Sequence, residues 1–429
     1  MEIIVLFILL GIFIISGMEI GLAVGCSATL VILFMFESLN MVIIPLRIIA
    51  GIARAWPLLS IPMFIMIGEV FIVGGISKRM IDVVNIFVGS ISGGLAIVNI
   101  VVSYFFGGIS GAATADTAAI GGVLIPAMIK EGYDSKFSTV VTITSSTLGP
   151  IVPPSLLMII ISWVTELPIG GLFVTGYIPA FFTMLGLILV SYIISKKRNY
   201  PRHIRPSFKE SVKIIFSTFP VIITPFIIVG GIVFGVATVT EIAAVALLYS
   251  IIIGFLYKEL KLKDFPEILK KTAITTISVG IILVFVSIFS WIITYTRFPY
   301  QMAQLLIFLN VGPSTYMILC CASFLVMGTF LNPASIVLMM MPMLYPIAIT
   351  MGINPYHFCL ISVLALVIGH VTPPLGLCLF IGAAISGDKV EELFVPLLPF
   401  IGIMILVILI LIFVPEPILL LPRLLGYIS

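Results

Sequence analysis

Two clusters of hydroxyl, glycine and proline residues interrupt otherwise apolar stretches of the chain, and both have the chemistry of an ion site. The first reads TITSSTLGPIVPPS at 142–155, and the second reads IGHVTPPLG at 368–376. A double proline behind a glycine breaks a helix, because proline removes a backbone donor and clashes with the preceding turn. The broken helix then offers free carbonyls from its first half and free amides from its second. Carbonyls and hydroxyls suit a dehydrated cation, whereas helix N-termini suit an anion.

Candidate ligands lie at each break and in a glycine-containing stretch that precedes it. Around the first break these are Ser145, Ser146, Thr147 and Ser155, preceded by Ser110, Thr114, Asp116 and Thr117 in GGISGAATADT. Around the second break they are His370 and Thr372, preceded by Thr329, Asn332 and Ser335 in GTFLNPAS. The second set is the poorer one, because it has fewer hydroxyls and no carboxylate.

Two of these residues admit a second interpretation. Asp116 supplies the negative charge that a Na⁺ site needs, or else it caps the first turn of a half-helix and complements its dipole. His370 relays protons or contacts the substrate, or else it is a hydrogen-bonded buried imidazole. The residues by themselves leave both choices open.

The composition places these clusters in an integral membrane protein. Of the 429 residues, 61% are hydrophobic and only 9% are charged, against about 25% charged in soluble domains. The sequence has no G-x-x-x-x-G-K-[ST] loop for ATP, no basic surface with interleaved aromatics for nucleic acid, and no acidic partner for Asp116 that an intramembrane enzyme would need. The first apolar run follows Met1-Glu2 directly and is expected to be a span rather than a signal peptide. The cysteines show no metal-ligand spacing and are expected to be buried thiols: Cys26, Cys320, Cys321, Cys359 and Cys378.

The sequence contains an internal repeat with an offset of 220 residues. Gly108, Pro126, Gly132, Gly149, Pro153 and Pro154 recur as Gly328, Pro346, Gly352, Gly369, Pro373 and Pro374. Apolar segments at about 2–16, 18–36 and 57–76 likewise match those at about 214–235, 239–257 and 272–296. We therefore predict a first repeat at 1–195, a basic linker at 196–213 and a second repeat at 214–429.

Each repeat is predicted to hold five crossings and one re-entrant hairpin. Three spans precede the hairpin and two follow it, the first of those two being the broken helix: about 137–163 and 169–195 in one copy, about 356–384 and 393–415 in the other. The hairpins, about 93–130 and 313–350, are predicted because their apolar legs are shorter than the roughly 20 residues of a span. Since five is odd, the two repeats run in opposite directions. The predicted fold is an all-α integral membrane protein with two inverted repeats.

The basic residues test this arrangement independently. The predicted topology puts 17 of the 21 Lys and Arg residues on one side, in five segments: 78–82, 130–136, 196–213, 258–271 and 385–391. The other side keeps only Arg47, Arg54, Arg297 and Arg423. By the positive-inside rule the crowded side is cytoplasmic and both termini are periplasmic. Hairpin 1 is then predicted to enter from the cytoplasm and hairpin 2 from the periplasm.

Several charged positions have structural interpretations. Glu69, inside the third span, is expected to face protein or water and to be paired. Glu241 follows Thr238 by three residues, which predicts a capping box at the start of a span. The segments 37–56 and 258–271 mix charges with apolar residues around a proline. They are expected either to lie along the membrane faces as arms or to be ordinary solvated connections.

Four motifs together resemble a known family. They are GGISGAATADTAAIGGVLIPAMIKEGYD, SSTLGPIVPPS, GVATVTEIAAVALLY and IGHVTPPLG, and they are similar to those of the large membrane subunit of tripartite ATP-independent periplasmic (TRAP) transporters. The resemblance extends over essentially the whole chain. It implies an elevator-type secondary transporter that imports an organic acid into the cell across the bacterial inner membrane with Na⁺ as coupling ion and no other cofactor. It also implies two partners, a small four-helix membrane subunit and a soluble periplasmic substrate-binding protein.

The resemblance also implies two sodium-and-substrate half-sites. Half-site 1 comprises Ser110, Gly111, Thr114, Asp116, Ser145, Ser146, Thr147, Gly149, Pro153, Pro154 and Ser155. Half-site 2 comprises Gly328, Thr329, Asn332, Ser335, Gly369, His370, Thr372, Pro373, Pro374 and Gly376. The sequence departs from the family at Asn332, where relatives carry an acid, at Ala113, where a serine is common, and at His370. The alternative function is a self-sufficient sodium–carboxylate symporter of the same architecture that needs no binding protein.

Overall fold

The computed structural model describes residues 2–36, 42–53, 56–201 and 207–428, and within those ranges the chain is helical, without strands. The helices of the first repeat are α1 Glu2–Ile15, α2 Ile20–Met35, α3 Ile43–Ala53, α4 Ser60–Val73, α5 Ile76–Val88, α6 Gly94–Ser110, α7 Ala113–Lys130, α8 Ser135–Ser145, α9 Leu156–Thr165 and α10 Ile169–Lys197. Those of the second are α11 Phe208–Ile222, α12 Thr224–Val233, α13 Val239–Leu256, α14 Phe265–Tyr295, α15 Phe298–Phe308, α16 Pro313–Phe330, α17 Pro333–Thr350, α18 Pro355–Gly369, α19 Leu377–Ser386, α20 Val390–Phe413 and α21 Glu416–Leu424.

Apolar runs of membrane-spanning length account for part of the helices. Seven helical segments in the described ranges are long and apolar enough to cross a membrane, or eight if the bent pair α4–α5 is one span. Two of the seven are α16 and α17, the legs of the hairpin predicted at 313–350, so these legs are longer than expected. Local signals set several of the helix starts. Thr238 and Glu241 form the predicted capping box at α13, with Thr238 Oγ1 donating to Glu241 Oε2 over 2.7 Å. Asp134 caps α8 and Asn354 caps α18 through backbone N–H groups.

The duplicated sequence produces duplicated structure at the hairpins and breaks. Hairpin 1 is formed by α6 and α7, and hairpin 2, 220 residues later, by α16 and α17. The first broken helix is formed by α8 and α9, and the second by α18 and α19. In both breaks the double proline lies between the two half-helices, and its internal peptide bond is cis.

We call the hairpins and broken helices, α6–α9 and α16–α19, the block, and we call α2, α3, α4, α13 and α14 the scaffold. In the scaffold, α14 packs on α2, α3 and α4, and α13 packs on α4. In the block, each hairpin packs on the broken helix of its own repeat, α7 on α8 and α16 on α18. The repeats also exchange half-helices, because α19 packs on α7 and α9 packs on α17. Each hairpin is therefore held between one half-helix of its own repeat and one of the other.

Segments predicted to share a membrane face lie in contact. Arg79 pairs with Glu259 over 2.7 Å, which joins 78–82 to 258–271. Lys136 pairs with Glu392 over 2.8 Å, and Arg198 with Asp134 over 3.4 Å, which joins 130–136 to residues beside 385–391 and to 196–213. On the opposite face, Tyr427 Oη donates to the carbonyl of Val233 over 3.1 Å. These contacts agree with the two groups of segments, and the assignment of the basic group to the cytoplasm stays a prediction.

The structure corrects one of the predicted arms and shows which charged segments are helical. Residues 78–82 lie within α5, an amphipathic helix that turns 72° from α4 and buries Met80 and Ile81. A separate arm at 258–271 is wrong, because from Phe265 onward these residues are the first turns of α14. Pro266 lies at the start of that helix, where its missing N–H costs nothing, so it begins the helix instead of interrupting it. Of the segment 37–56, residues 43–53 form α3, and 37–41 and 54–55 lie outside the described residues.

Further helices and two thiols also differ from expectation. Helices α15 and α21 were not predicted, and α11 begins at Phe208, inside the predicted linker, whose residues 202–206 lie outside the described ranges. Cys26 is exposed and Cys321 is half-buried, so the prediction of five buried thiols is wrong for these two. A thiol costs little on the lipid-facing side of a helix, because it behaves as a small hydrophobe. Glu69 is paired as predicted, with Lys271 Nζ 3.7 Å from Glu69 Oε2.

Candidate ion and substrate site

The tip of hairpin 1 lies directly on the first break because glycines let the two backbones meet. A methyl group added at Gly107 would lie 2.7 Å from Cα of Gly149, and one at Gly108 would lie 3.1 Å from the carbonyl oxygen of Pro153. Gly111 closes the tip with a left-handed φ of +60°. Its carbonyl accepts the N–H of Leu156 over 3.4 Å, so the hairpin caps the second half-helix. Tip and break therefore satisfy each other's backbone groups, as lipid surroundings require.

Hairpin 2 meets the second break in the same way. A methyl group at Gly369 would lie 2.7 Å from Cα of Gly328, and one at Gly328 would lie 2.8 Å from the carbonyl oxygen of Leu366. Here the second half-helix is capped by its own break, since the N–H of Cys378 donates to the carbonyl of His370 over 3.2 Å. The structure thus brings together the tip and break predicted for each half-site.

A buried polar cluster lies between hairpin 1 and the first break. Asn99 Nδ2 donates to Thr142 Oγ1 over 2.6 Å, and Ser145 Oγ donates to Asn99 Oδ1 over 3.3 Å. Ser103 Oγ lies 3.0 Å from Ser145 Oγ. All four side chains are fully buried. Sequence reasoning missed Asn99 and Ser103, although their i, i+4 spacing on an apolar leg places them on one helix face.

Asp116 lies beside this cluster with its charge uncompensated. Its side chain has no solvent exposure, and neither carboxylate oxygen has a hydrogen-bond partner. Ser146 and Ser103 are close enough to act on the carboxylate. An ionised carboxylate that is buried without a partner is costly, and either a proton or a bound cation would neutralise it. The capping part of the structural interpretation is wrong, because Asp116 accepts no N–H of α7. Asp116 does lie in the first turn of that helix, where a carboxylate complements the dipole.

The predicted hydroxyls of half-site 1 are buried except that of Thr114, which is half-buried, and most donate to carbonyls of their own helix. Ser146 Oγ donates to Thr142 O over 2.8 Å, Thr147 to Thr144 O over 2.6 Å, and Thr117 to Ala113 O over 2.9 Å. A hydroxyl that donates its proton keeps lone pairs for a cation. Ser110 Oγ is buried without a partner. Ser155 caps α9 by accepting the N–H of Met158 and donates to the carbonyl of Pro150, so its role as a ligand stays a prediction.

Half-site 2 is built differently. Asn332 caps α17, with its Oδ1 accepting the N–H of Ala334 over 2.9 Å. Thr329 and Thr372 donate to carbonyls of their own helices. Ser335 is buried in the first turn of α17, and Gly376 begins α19. His370 ends α18 with only 5% of its surface exposed, and neither ring nitrogen has a hydrogen-bond partner. The expectation of a hydrogen-bonded imidazole is therefore wrong, and ligand contact stays a prediction.

The two half-sites are neighbours of unequal character. Helix α19 packs on α7, which places the second half-helix of break 2 beside hairpin 1. At the repeat offset, Asp116 corresponds to Ile336, and Ser145, Ser146 and Thr147 correspond to Ala365, Leu366 and Val367. Each of these four replacements is buried. Only half-site 1 therefore combines a carboxylate with hydroxyl oxygens, the ligands that hard cations prefer. No group of three or more His, Cys, Asp and Glu side chains that could hold a metal ion occurs in the described residues.

The inverted hairpins and broken helices define a membrane transport protein, and the comparisons agree. The family model for the DctM component of tripartite ATP-independent periplasmic transporters matches residues 4–417. The chain is 34% identical to the sialic acid TRAP transporter large permease protein SiaM of Vibrio cholerae over 96% of each chain. It is 32% identical to the C4-dicarboxylate TRAP transporter large permease protein DctM of Pseudomonas aeruginosa, over 86% of this chain and 87% of that one.

Two further similarities bear on assembly and fold. The chain is 32% identical to the isethionate TRAP transporter permease protein DctMQ of Oleidesulfovibrio alaskensis, over 96% of this chain but only 65% of the relative. The crystal structure of the YdaH transporter of Alcanivorax borkumensis superposes with a TM-score of 0.62 at 13% identity, over 86% of both chains. This chain therefore belongs to the DctM family of TRAP transporters. It is a multi-pass transport permease and not an enzyme.

The contact between tip 1 and break 1 generates the first testable prediction. Gly107→Ala should destabilise the protein by about 1–3 kcal/mol, because the methyl group meets backbone and cannot be accommodated by a side-chain movement. Gly122→Ala in the same hairpin is the matched control, since nothing lies within 4 Å of its added methyl. It should be neutral or stabilise by a few tenths to about 1 kcal/mol. Thermal unfolding of the purified variants measures both; equal melting temperatures would contradict the packing described.

Proposed function

We propose that this chain is the large permease of a sodium-driven, binding-protein-dependent transporter that imports an organic acid across the inner membrane. The observation that carries the proposal is the unpaired, fully buried carboxylate of Asp116 beside the hydroxyls of Ser103 and Ser146. In a membrane protein such a group is functional by default. Its surroundings supply oxygen ligands and lack a basic side chain, which suits Na⁺. The names of the relatives point to organic anions as the cargo: sialic acid, C4-dicarboxylates and isethionate.

Asp116→Asn tests the sodium site. The amide preserves shape but removes the negative charge, so the Na⁺ concentration for half-maximal uptake should rise at least tenfold, or uptake should be lost. Added Na⁺ should raise the melting temperature of the wild-type protein, because it binds only the folded state, and should not raise that of the variant. Glu267→Gln is the control, since it removes an acid from an exposed surface ion pair. Wild-type sodium dependence in Asp116→Asn would rule out this carboxylate as a ligand.

The partners are proposed from the tripartite family. A small membrane subunit, proposed to have four helices, would complete the permease, as the name of the relative SiaM, a large permease protein, suggests. A soluble periplasmic protein is proposed to deliver the substrate. Both termini of the permease are proposed to face the periplasm, on the strength of the distribution of Lys and Arg.

Reconstitution tests the whole proposal against the self-sufficient symporter. Liposomes holding the permease and the small subunit, under an inward Na⁺ gradient, should take up labelled sialic acid or succinate only when the binding protein is added outside. Liposomes with this chain alone should take up neither. Uptake by this chain alone would favour the self-sufficient symporter. Failure of the complete system with every organic acid would contradict the proposed function.

The mechanism is proposed to be an elevator, in which the block moves against the scaffold. The inverted repeats support it, because they provide two mirror-related packings of similar energy. Ser290 on α14 and Met341 on α17 both line one cavity between scaffold and block. The double variant Ser290→Cys, Met341→Cys should cross-link in the present position of the block. In the other position, Ser290→Cys should cross-link instead to a cysteine introduced further along α17. If the same residues cross-link with and without substrate and Na⁺, the movement of the block is excluded.

A further inference from the structure

A large cavity lies outside both half-sites, between the scaffold and the block. It has a volume of about 780 Å³ and is bordered by α3 and α14 of the scaffold and by α9 and α17 of the block. Small-molecule sites commonly have volumes of about 300–1,000 Å³. The cavity adjoins the end of α9 that is furthest from the first break, and its α17 residues begin two turns beyond tip 2. It is therefore separate from the ion cluster but next to the same two elements.

The side chain of Arg47, on α3, borders this cavity. Arg47 lies with its Cζ 5.5 Å from the ring centroid of Trp291, a cation–π geometry. Its Nε is buried and has no hydrogen-bond partner. The carbonyl oxygen of Arg47 accepts a hydrogen bond from the hydroxyl of Ser287 over 3.0 Å. The backbone of Arg47, and not its guanidinium, therefore makes this contact between α3 and α14. Guanidinium presents its N–H groups as a planar fork that matches a carboxylate.

The rest of the lining indicates the kind of acid. Ser287, Ser290, Thr294 and Tyr345 contribute hydroxyls, and Trp163 and Trp291 contribute aromatic surface. Among the lining residues described, Arg47 is the one basic residue and Glu166, which is solvent-exposed, is the one acidic residue. One guanidinium with several hydroxyls and two indoles suits a solute that has one carboxylate, several hydroxyls and an apolar face.

We propose that this cavity is an outer binding site in which Arg47 holds the carboxylate of a hydroxylated monocarboxylic acid before the acid reaches the breaks. The direction rests on the proposed function, which puts Arg47 on the periplasmic side. Because two walls belong to the scaffold and two to the block, movement of the block would dismantle the site and release the acid. The guanidinium in this cavity supplies the basic group that neither break motif contains.

The test measures binding directly. Two of the three tryptophans line the cavity, so the variant Trp56→Phe, Trp163→Phe leaves Trp291 as the reporter. Purified in uncharged detergent, this protein is titrated with sialic acid, gluconate and succinate. Sialic acid and gluconate should change the fluorescence of Trp291 saturably, and more tightly than succinate. Arg47→Gln should raise the dissociation constant at least tenfold, and Arg47→Lys should lie between, because it keeps the charge and loses the fork.

Arg297→Gln is the matched control. Arg297 is exposed, belongs to the same predicted face and does not border the cavity, so its removal should leave the affinity unchanged. Equal affinities of wild type, Arg47→Lys and Arg47→Gln would overturn the proposal. So would binding of succinate alone, or no binding of any acid. A phosphate headgroup is the other anion that this fork fits. Titration in nanodiscs distinguishes it, since a response only to phosphatidylglycerol content would make the cavity a lipid site and likewise overturn the proposal.

The two proposals fail separately. The fluorescence titration needs no transport, no Na⁺ gradient and no partner protein. Arg47-dependent binding in a protein that transports no organic acid would leave this site standing and remove the proposed function. Sodium-driven uptake that is unaffected by Arg47→Gln, with no binding detected by Trp291, would leave the proposed function standing and remove this site.

Discussion

Every feature of the block depends on the need to satisfy backbone N–H and C=O groups away from water. A helix broken inside a membrane leaves such groups free, and lipid offers them no partner. This protein meets the requirement by placing the tip of a hairpin on each break. The approach is possible only because Gly107 meets Gly149 and Gly328 meets Gly369 without side chains between them. The carbonyls and hydroxyls that remain at each junction of tip and break are then held in fixed positions, as the proposed ion site requires.

Duplication gave two such junctions, and they have diverged in chemistry while keeping the same backbone. The first retains a carboxylate and a connected set of hydroxyl and amide groups around Asn99 and Ser145. In the second junction, Ile336 and Ala365 occupy the positions that correspond to Asp116 and Ser145. The second junction also contains His370, whose ring nitrogens have no hydrogen-bond partner. Backbone contact can be conserved by glycine alone, whereas a cation site needs specific side chains. The symmetry of the fold therefore does not extend to the site.

Much of the architecture could be predicted because its signals are local. The 220-residue offset, the double prolines and the glycines mark hairpins and breaks, and Thr238 with Glu241 marks the start of a helix. Errors arose where a local signal had two meanings. A proline within an apolar segment can interrupt a helix or begin one, and Pro266 begins α14.

The sequence by itself determined the class of protein, the number of breaks and the residues that form each junction, because hydropathy and backbone geometry are properties of short segments. Only the tertiary structure decided which polar groups are paired and which are not. Asp116 lacks a partner, and Asn99 joins Thr142, which lies 43 residues further along the chain. The cavity at Arg47 likewise exists only where four distant helices meet. Unpaired charge and enclosed space depend on what surrounds a residue in three dimensions, and no local pattern records that.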